Sequence, residues 1–363
     1  MRIAFYGSSL LSAYWNGAAT YYRGMLSELA QRGWQVTFYE PDAFDRQQHR
    51  DIDPPDWAEV VVWNNDADAC AAVMARAAEA DVVVKASGVG VFDDELLGVF
   101  DHARPGALKV FWDVDAPATL AELRAAPDHP LRRRLPDLDM VLTYGGGSPV
   151  VDAYEGLGAP LCRPIYNALD PGTHHPVSSD PRFAADLALL ANRLPDRERR
   201  IEQFFLEPAA SLPGRRFLLG GNGWHDKPVS DNVQVLGHVG TADHNAFNCS
   251  PLAVLNVSRD SMADNGFSPA TRVFEAAGAG ACLITDYWEG IDLFLAPGDE
   301  VLVARDGKDV AEHVAALTPE RARAIGEAAR ARVLAEHTYA RRAAEADALF
   351  REHLAARAER SAA

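Results

Sequence analysis

Short apolar runs alternate with longer amphipathic stretches along the chain. This pattern is typical of strands joined by crossover helices in a parallel sheet. Between the first two runs, residues 18–32 carry apolar side chains at helical spacing, and Gly33 follows as a C-terminal cap. The sequence therefore predicts doubly wound α/β structure, with strands at 3–6, 36–39, 60–63, 82–85, 109–112, 141–143, 161–165, 187–190, 217–219, 233–236, 252–257, 282–285 and 301–303.

The 363 residues exceed what one hydrophobic core of ordinary size holds, so two domains are expected. Four prolines between residues 164 and 181 indicate a stiff connection where the alternation of runs is interrupted. We predict a Rossmann-like domain at 1–170, a linker at 171–182 and a second Rossmann-like domain at 183–340. A C-terminal helix at 341–363, which can cross back to the first domain, is expected to end in a frayed tail.

Composition narrows the classes of function. A formal net charge of −17 disfavours nucleic acid and anionic membranes as partners. No apolar stretch is long enough to span a membrane and no export signal is seen, so a cytoplasmic location is expected. The four cysteines are scattered without metal-ligand spacing, which predicts reduced thiols and no metal site.

The strongest candidate chemistry follows the strand predicted at 252–257. Ser268 and Pro269 read as the N-cap and first residue of a helix, whose free N–H groups favour an anion such as a diphosphate. Thr271 and Arg272 strengthen that anion site. The carboxylate of Glu275 can accept hydrogen bonds from the two hydroxyls of a ribose. The alternative is a capped helix with a buried Glu275–Arg272 pair.

The run SPATRVFEAAGAGACLITD at 268–286 resembles the donor-binding segment of CgeB-like (spore maturation protein) glycosyltransferases. The likeness covers most of residues 183–343, and WNGAATYYRGMLSELAQRGWQ and FWDVDAPATL in the first half also resemble the group. The resemblance implies the GT-B fold, two Rossmann-like domains facing across a cleft. It also implies a hexosyltransferase-type enzyme that takes a nucleoside diphosphate sugar, with Glu275 on the ribose and the helix start on the diphosphate.

Other loops after strands are assigned donor contacts. By similarity to GT-B enzymes, Asn192 and Arg193 are expected at the phosphates, and His238 at the base. The glycine-rich loop with Asn222, Gly223 and Trp224 allows close backbone approach, and the tryptophan offers a flat stacking face. The alternative for Arg193 is a surface arginine paired with glutamates.

The first domain is expected to serve the sugar and the acceptor, a small molecule, glycan or protein. Gly17 lies in the loop after the first strand and is predicted to contact the donor. Asp113 and Asp115 follow a central strand and are the candidate general bases, with capping of the next helix as the alternative. Their D-x-D spacing suggests a metal, but GT-B enzymes generally stabilise the diphosphate without one, so neither metal nor cofactor is expected.

One departure leaves the donor sugar and the stereochemistry open. Many retaining GT-B enzymes carry two glutamates eight residues apart, whereas Phe267 stands eight residues before Glu275. A nucleotide-sugar epimerase of GT-B architecture and a non-catalytic nucleotide-sugar-binding protein are the alternative functions. An NAD-dependent oxidoreductase is disfavoured because the loop after the first strand lacks G-x-G-x-x-G spacing.

Overall fold

The computed structural model describes residues 1–14 and 16–362, the side chains of residues 361 and 362 excepted. The chain forms two compact units. The first comprises Met1–Tyr166 together with the residues from Tyr339 on, and the second comprises Asn167–Thr338.

The first unit contains a seven-stranded sheet of order β3-β2-β1-β4-β5-β6-β7, with every neighbouring pair parallel. Apolar runs such as 82–84 form its buried centre because both faces of the sheet are covered. The strands are β1 (Arg2–Tyr6), β2 (Gln35–Asp42), β3 (Ala58–Asn64), β4 (Val82–Ala86), β5 (Leu108–Asp113), β6 (Met140–Thr143) and β7 (Cys162–Pro164).

The helices of the first unit are α1 (Ala18–Gln31), α2 (Ala67–Ala75), α3 (Val99–His102), α4 (Ala116–Ala125), α5 (Pro130–Arg134), α6 (Gly147–Gly156) and the C-terminal helix, here α14 (Tyr339–Ala362). Helix α14 packs against α1 at close range: a Cβ at Gly24 would overlap the ring of Tyr339. The indole of Trp34 donates to Asp347 at 2.7 Å. The last helix therefore completes the core that the first residues begin.

The second unit contains a six-stranded parallel sheet of order β10-β9-β8-β11-β12-β13. Its strands are β8 (Leu187–Leu190), β9 (Phe217–Gly220), β10 (Val233–Gly237), β11 (Ala253–Asn256), β12 (Leu283–Asp286) and β13 (Leu302–Ala304). Its helices are α7 (Glu198–Ile201), α8 (Glu207–Ser211), α9 (His244–Cys249), α10 (Asp260–Asn265), α11 (Thr271–Gly278), α12 (Gly307–Ala316) and α13 (Pro319–Glu336), with a π-helical segment at Glu202–Leu206 between α7 and α8.

All thirteen predicted strands are present, and the predicted α/β class with two doubly wound sheets is confirmed. The unit boundaries differ from the expected ones, because the segment predicted as a linker at 171–182 lies within the second unit. Helix α14 continues to Ala362, and Ala363, part of the predicted frayed tail, lies outside the described residues. Within the described residues, no helix has the length and apolarity needed to span a membrane.

Candidate functional site

Helix α11 begins later than the sequence predicted. Its first residue is Thr271 and its N-cap position is Ala270, which has extended backbone and no capping side chain. The hydroxyl of Ser268 donates to the carbonyl of Gly266 at 3.0 Å, so the predicted N-cap role of Ser268 is wrong. Pro269 is likewise outside the helix, and its carbonyl accepts a hydrogen bond from the buried Asn167.

Two predicted donor contacts, Arg272 and Glu275, lie on the first turns of α11. Burial lowers the pKa of the Arg272 guanidinium, and the carboxylate of Glu275 opposes that shift. Nη1 of Arg272 donates to the amide oxygen of Asn248 at 3.4 Å rather than to Glu275. Since no close Glu275–Arg272 ion pair forms among the described residues, both side chains keep hydrogen-bonding capacity.

Two histidines border Glu275. Nε2 of His174 lies 3.9 Å from Oε1 of Glu275, and both side chains are largely buried. His244 is the first residue of α9, and burial lowers its pKa. The carboxylate of Glu275 raises the pKa of His244, whereas Arg272 and His174 lower it, so these four side chains form one electrostatic group.

A second arginine joins this group from the loop after β8. Burial lowers the pKa of Arg197 to about 10, and the positive charge of Arg272 lowers it further. Nη2 of Arg197 donates to the carbonyl of Asn192 at 3.0 Å, while its Nε is buried without a hydrogen-bond partner. Two guanidinium groups therefore lie close enough to repel each other, and neither forms an ion pair with a carboxylate of the described residues. Such a pair is suited to an anion with two or more charges.

Arg193, the predicted phosphate contact, is engaged elsewhere. Its guanidinium donates to Glu198 at 2.8 Å and to Asp226 at 3.0 Å, as the alternative interpretation required. Its backbone pairs with Asn222, and Asn192 accepts from the N–H of Asn222 at 2.9 Å. Asn192, Asn222 and Gly223 thus join the loops after β8 and β9 to each other.

The two predicted base contacts differ in exposure. Trp224 is 1% exposed and its Nε1 donates to the carbonyl of Ala191 at 2.7 Å, so the expected stacking face is unavailable. His238 follows β10 directly and is exposed. Of these two, only His238 is open to a ligand.

In the first unit, Asp113 is fully buried at the end of β5. Its carboxylate accepts hydrogen bonds from Tyr154 (2.5 Å), Ser87 (2.7 Å), Thr119 (3.0 Å) and the N–H of Asp115 (2.9 Å). Burial raises the pKa of Asp113, and these donors oppose the shift. A carboxylate enclosed in this way cannot take a proton from an acceptor, so its predicted catalytic role is wrong.

Asp115 and Gly17 occupy helix starts in the same unit. Asp115 is the N-cap residue of α4, but its side chain makes no capping hydrogen bond there, and it is partly exposed. Gly17 is the N-cap residue of α1, exposed, with open space where a Cβ would stand. Both positions are accessible, and their predicted roles stay predictions.

Phe267, which stands in place of a carboxylate, has left-handed backbone with a φ of 50°. Its N–H donates to the carbonyl of Glu289 at 2.6 Å, and its ring lies against Gly290, where a Cβ would overlap it. The loop before α11 is therefore held to the loop after β12.

Sequence reasoning missed His244 and Asn248 and gave no role to His174. They come from α9 and from the segment before β8, so only the fold brings them to α11. A cluster of three or more His, Cys, Asp or Glu side chains suited to a metal ion is absent from the part of the chain that the structure describes.

The sequence of residues 197–348 matches the family model described as glycosyl transferase-like. A comparison with curated proteins found no match. The matched segment begins at Arg197 and includes the whole of α11 with Arg272 and Glu275. The residues that form the electrostatic group thus lie mostly within a glycosyl transferase-like sequence.

Solved structures are similar over almost the entire chain. HepE from Anabaena, in complex with UDP and glucose, is 15% identical with a TM-score of 0.69, over 97% of this chain and 100% of that chain. Sucrose-phosphate synthase from Thermosynechococcus elongatus is 15% identical with a TM-score of 0.69, over 98% and 100%. The BGT protein of phage T4, in complex with UDP-glucose, is 10% identical with a TM-score of 0.59, over 98% and 99%.

These similarities establish the GT-B fold for the two units. The family match identifies residues 197–348 as a glycosyl transferase-like segment, which lies mostly in the second unit.

Proposed function

We propose that the protein transfers a sugar from a nucleoside diphosphate sugar to a hydroxylated acceptor, with the donor held by α11 and the loop after β8. The observation that carries this proposal is the arrangement of Arg197, Arg272 and Glu275 within the electrostatic group. Among the described residues, neither arginine forms an ion pair with a carboxylate, and Glu275 forms no close ion pair with either of them.

The two arginines bind the diphosphate. Burial of an unpaired guanidinium costs free energy, and the two positive charges also repel each other. The negative charge of a bound diphosphate offsets both costs. The N-terminal N–H groups of α11, beginning at Thr271, add partial positive charge. Bond breaking at the sugar leaves negative charge on this diphosphate, and fixed cations stabilise that charge in the transition state.

Glu275 binds the ribose. It lies four residues beyond Thr271, about 6 Å along the helix axis, which is a suitable separation between a phosphate and the adjoining ribose. Its carboxylate accepts hydrogen bonds from the 2′- and 3′-hydroxyls. His174, 3.9 Å away, helps to orient this carboxylate.

We propose uridine as the base, since HepE and the T4 BGT protein were both solved with UDP-glucose. The exposed His238 after β10 is the candidate contact with the base edge. In the first unit, Gly17 contacts the donor and Asp115 is the candidate general base for the acceptor. The finer proposals are a CgeB-like subgroup, a metal-independent reaction without cofactor and a cytoplasmic location.

The test is calorimetric titration of the full chain with UDP, GDP, ADP and dTDP, followed by donor hydrolysis with the matching glucose conjugates. Loss of a charge-assisted contact to the ribose predicts a roughly 10- to 100-fold weaker UDP affinity for Glu275→Ala. The control Glu312→Ala removes an exposed carboxylate of the same unit and should bind like wild type.

Absence of binding for all four nucleotides, or equal affinities of Glu275→Ala and wild type, would refute the proposal. Turnover in excess EDTA tests metal independence. Product analysis separates the three candidate functions. A transferase releases free sugar or transfers it to an added acceptor. An epimerase returns an altered donor, and a binding protein returns the donor unchanged.

A further inference from the structure

Three loops at the carboxyl edge of the first sheet converge on Arg46. This residue follows β2 and is only 7% exposed. Its Nη1 donates to the carbonyl of Ser8, after β1, at 3.2 Å and to the carbonyl of Val89, after β4, at 3.4 Å. Ligands of open parallel sheets bind at this edge, so the position of Arg46 is where a substrate is expected.

The opposite edge of the guanidinium has no partner. Nε is buried without a hydrogen bond, and Nη2 makes none to any described residue. Nε–H and Nη2–H are the parallel donors that bind a carboxylate or a phosphate in bidentate fashion. A buried donor such as this Nε–H is costly when it is left unsatisfied, which indicates that another group binds it in the working protein.

The carboxylate of Glu40 does not fill this position. Burial lowers the pKa of Arg46, and Tyr22 and then Glu40 oppose that shift, so Glu40 balances part of the charge. Its oxygens, however, accept from the side chains of Ser9 and Gln47 and from the N–H groups of residues 10 and 11. Glu40 thus holds the loop after β1 and leaves the guanidinium edge open.

The hydroxyl of Tyr22 provides a further donor at this place. It is buried without a hydrogen bond of acceptable geometry, although the Ser8 side chain lies near it. Burial raises the pKa of Tyr22, so the hydroxyl stays protonated at neutral pH. The charges of Arg46, Asp93 and Asp113 also act on Tyr22. Arg46 and Tyr22 therefore lie close enough to influence each other, and each carries a buried donor without a hydrogen bond to the described residues.

The turn that carries Arg46 is strained. Phe44 and Asp45 both have a φ of 56°, in the left-handed region that side chains other than glycine rarely adopt. The Phe44 ring is 54% exposed, lies against Gly90 and sits 5.0 Å from the Arg46 guanidinium. Strain of this kind persists where the surrounding structure demands it, often at binding sites.

We propose that Arg46, Tyr22 and Phe44 form a subsite for a carboxylate or phosphate group of the acceptor, with the acid on the Nε–Nη2 edge and the acceptor ring against Phe44. This inference rests on the proposed function, because it names the acceptor class of the same enzyme: an acidic sugar rather than a neutral one.

The experiment is saturation-transfer NMR on the full chain with D-glucuronate, D-glucose 6-phosphate and D-glucose, in the presence of UDP. We expect one or both acids to bind. Glucose should bind roughly 10-fold or more weakly than they do, because it lacks one charge-assisted contact. Arg46→Gln should abolish the preference for acids. Arg50→Gln removes an exposed arginine four residues further along the chain, whose guanidinium donates to Gln47, and should behave like wild type.

Tyr22→Phe keeps the ring and removes the hydroxyl, so it tests the subsite even if Arg46→Gln fails to fold. The affinity of this variant for the acids should be about 3- to 10-fold weaker than that of wild type. UDP affinity of every variant is measured separately and should not change. If neither acid binds while UDP does, buried water satisfies these donors and the subsite is refuted with the proposed function intact. Equal binding of acid and glucose, or acid binding unaffected by both variants, also refutes it.

Discussion

Oε1 of Glu275 and Nε2 of His174 lie 3.9 Å apart, and both side chains are largely buried beside α11. We predict that His174 acts on the nucleotide through Glu275. His174→Ala should weaken UDP binding less than Glu275→Ala, and the double variant should bind no more weakly than Glu275→Ala alone, because residues in contact are not additive. A double-mutant cycle by calorimetry measures this coupling. Additive effects would show that the two side chains act independently.

Two neighbouring arginines should behave differently. Arg197→Gln should weaken UDP binding by roughly 10- to 100-fold, because we propose that this buried guanidinium binds the diphosphate. Arg193→Gln should leave it within about 3-fold, since Arg193 is paired with Glu198 and Asp226 near the surface, where ion pairs contribute little. Titrations with UDP and with uridine show whether the loss depends on the phosphates. The reverse order of the two variants would contradict the site as described.

Substitution of Asp113 should affect the stability of the fold, whereas substitution of Asp115 should affect catalysis. Asp113→Ala leaves four buried donors without an acceptor and should lower the free energy of unfolding by about 3 kcal/mol or more. Asp115→Ala should leave that free energy within about 1 kcal/mol and lower kcat instead. Urea unfolding and steady-state kinetics on the same preparations test both. Normal kcat in Asp115→Ala would remove Asp115 as the candidate base.

His244 should make stability depend on pH. Its folded-state pKa is lowered by burial and by Arg272 and His174, with Glu275 acting in opposition. The unfolded chain therefore takes up a proton near pH 6.5 while the folded chain does not. Stability is complete above this pH and falls as pH decreases towards the lowered pKa, by roughly 1.4 kcal/mol per unit of difference. Urea midpoints between pH 8 and 5 should show a smaller decrease in His244→Gln than in wild type.

The strands could be predicted because parallel strands buried on both faces are nearly continuous apolar runs. Residues 82–84 and 187–190 show this directly, since their burial demands apolar side chains whatever the loops do. Loop contacts lack such a signal. Ser268 followed by proline has the sequence of a helix start, yet its hydroxyl turns back to Gly266 and the helix begins at Thr271.

The positions of some candidate residues could be predicted from local spacing. Arg272 and Glu275 could be placed near each other because they share one helix. Arg193 and Arg197 differ only in which carboxylates the fold places beside them, and no local pattern encodes that. Asp113 and Asp115 likewise look alike in sequence, while the burial of Asp113 depends on Tyr154, 41 residues later.

The C-terminal helix has a consequence for synthesis. The first unit needs α14, which follows the second unit along the chain, whereas the second unit is one uninterrupted segment that is complete before α14 is made. The second unit can therefore fold while the sheet that began the chain still has the α1 surface around Gly24 and Trp34 uncovered. During synthesis, the second unit can therefore complete its core before the first unit can.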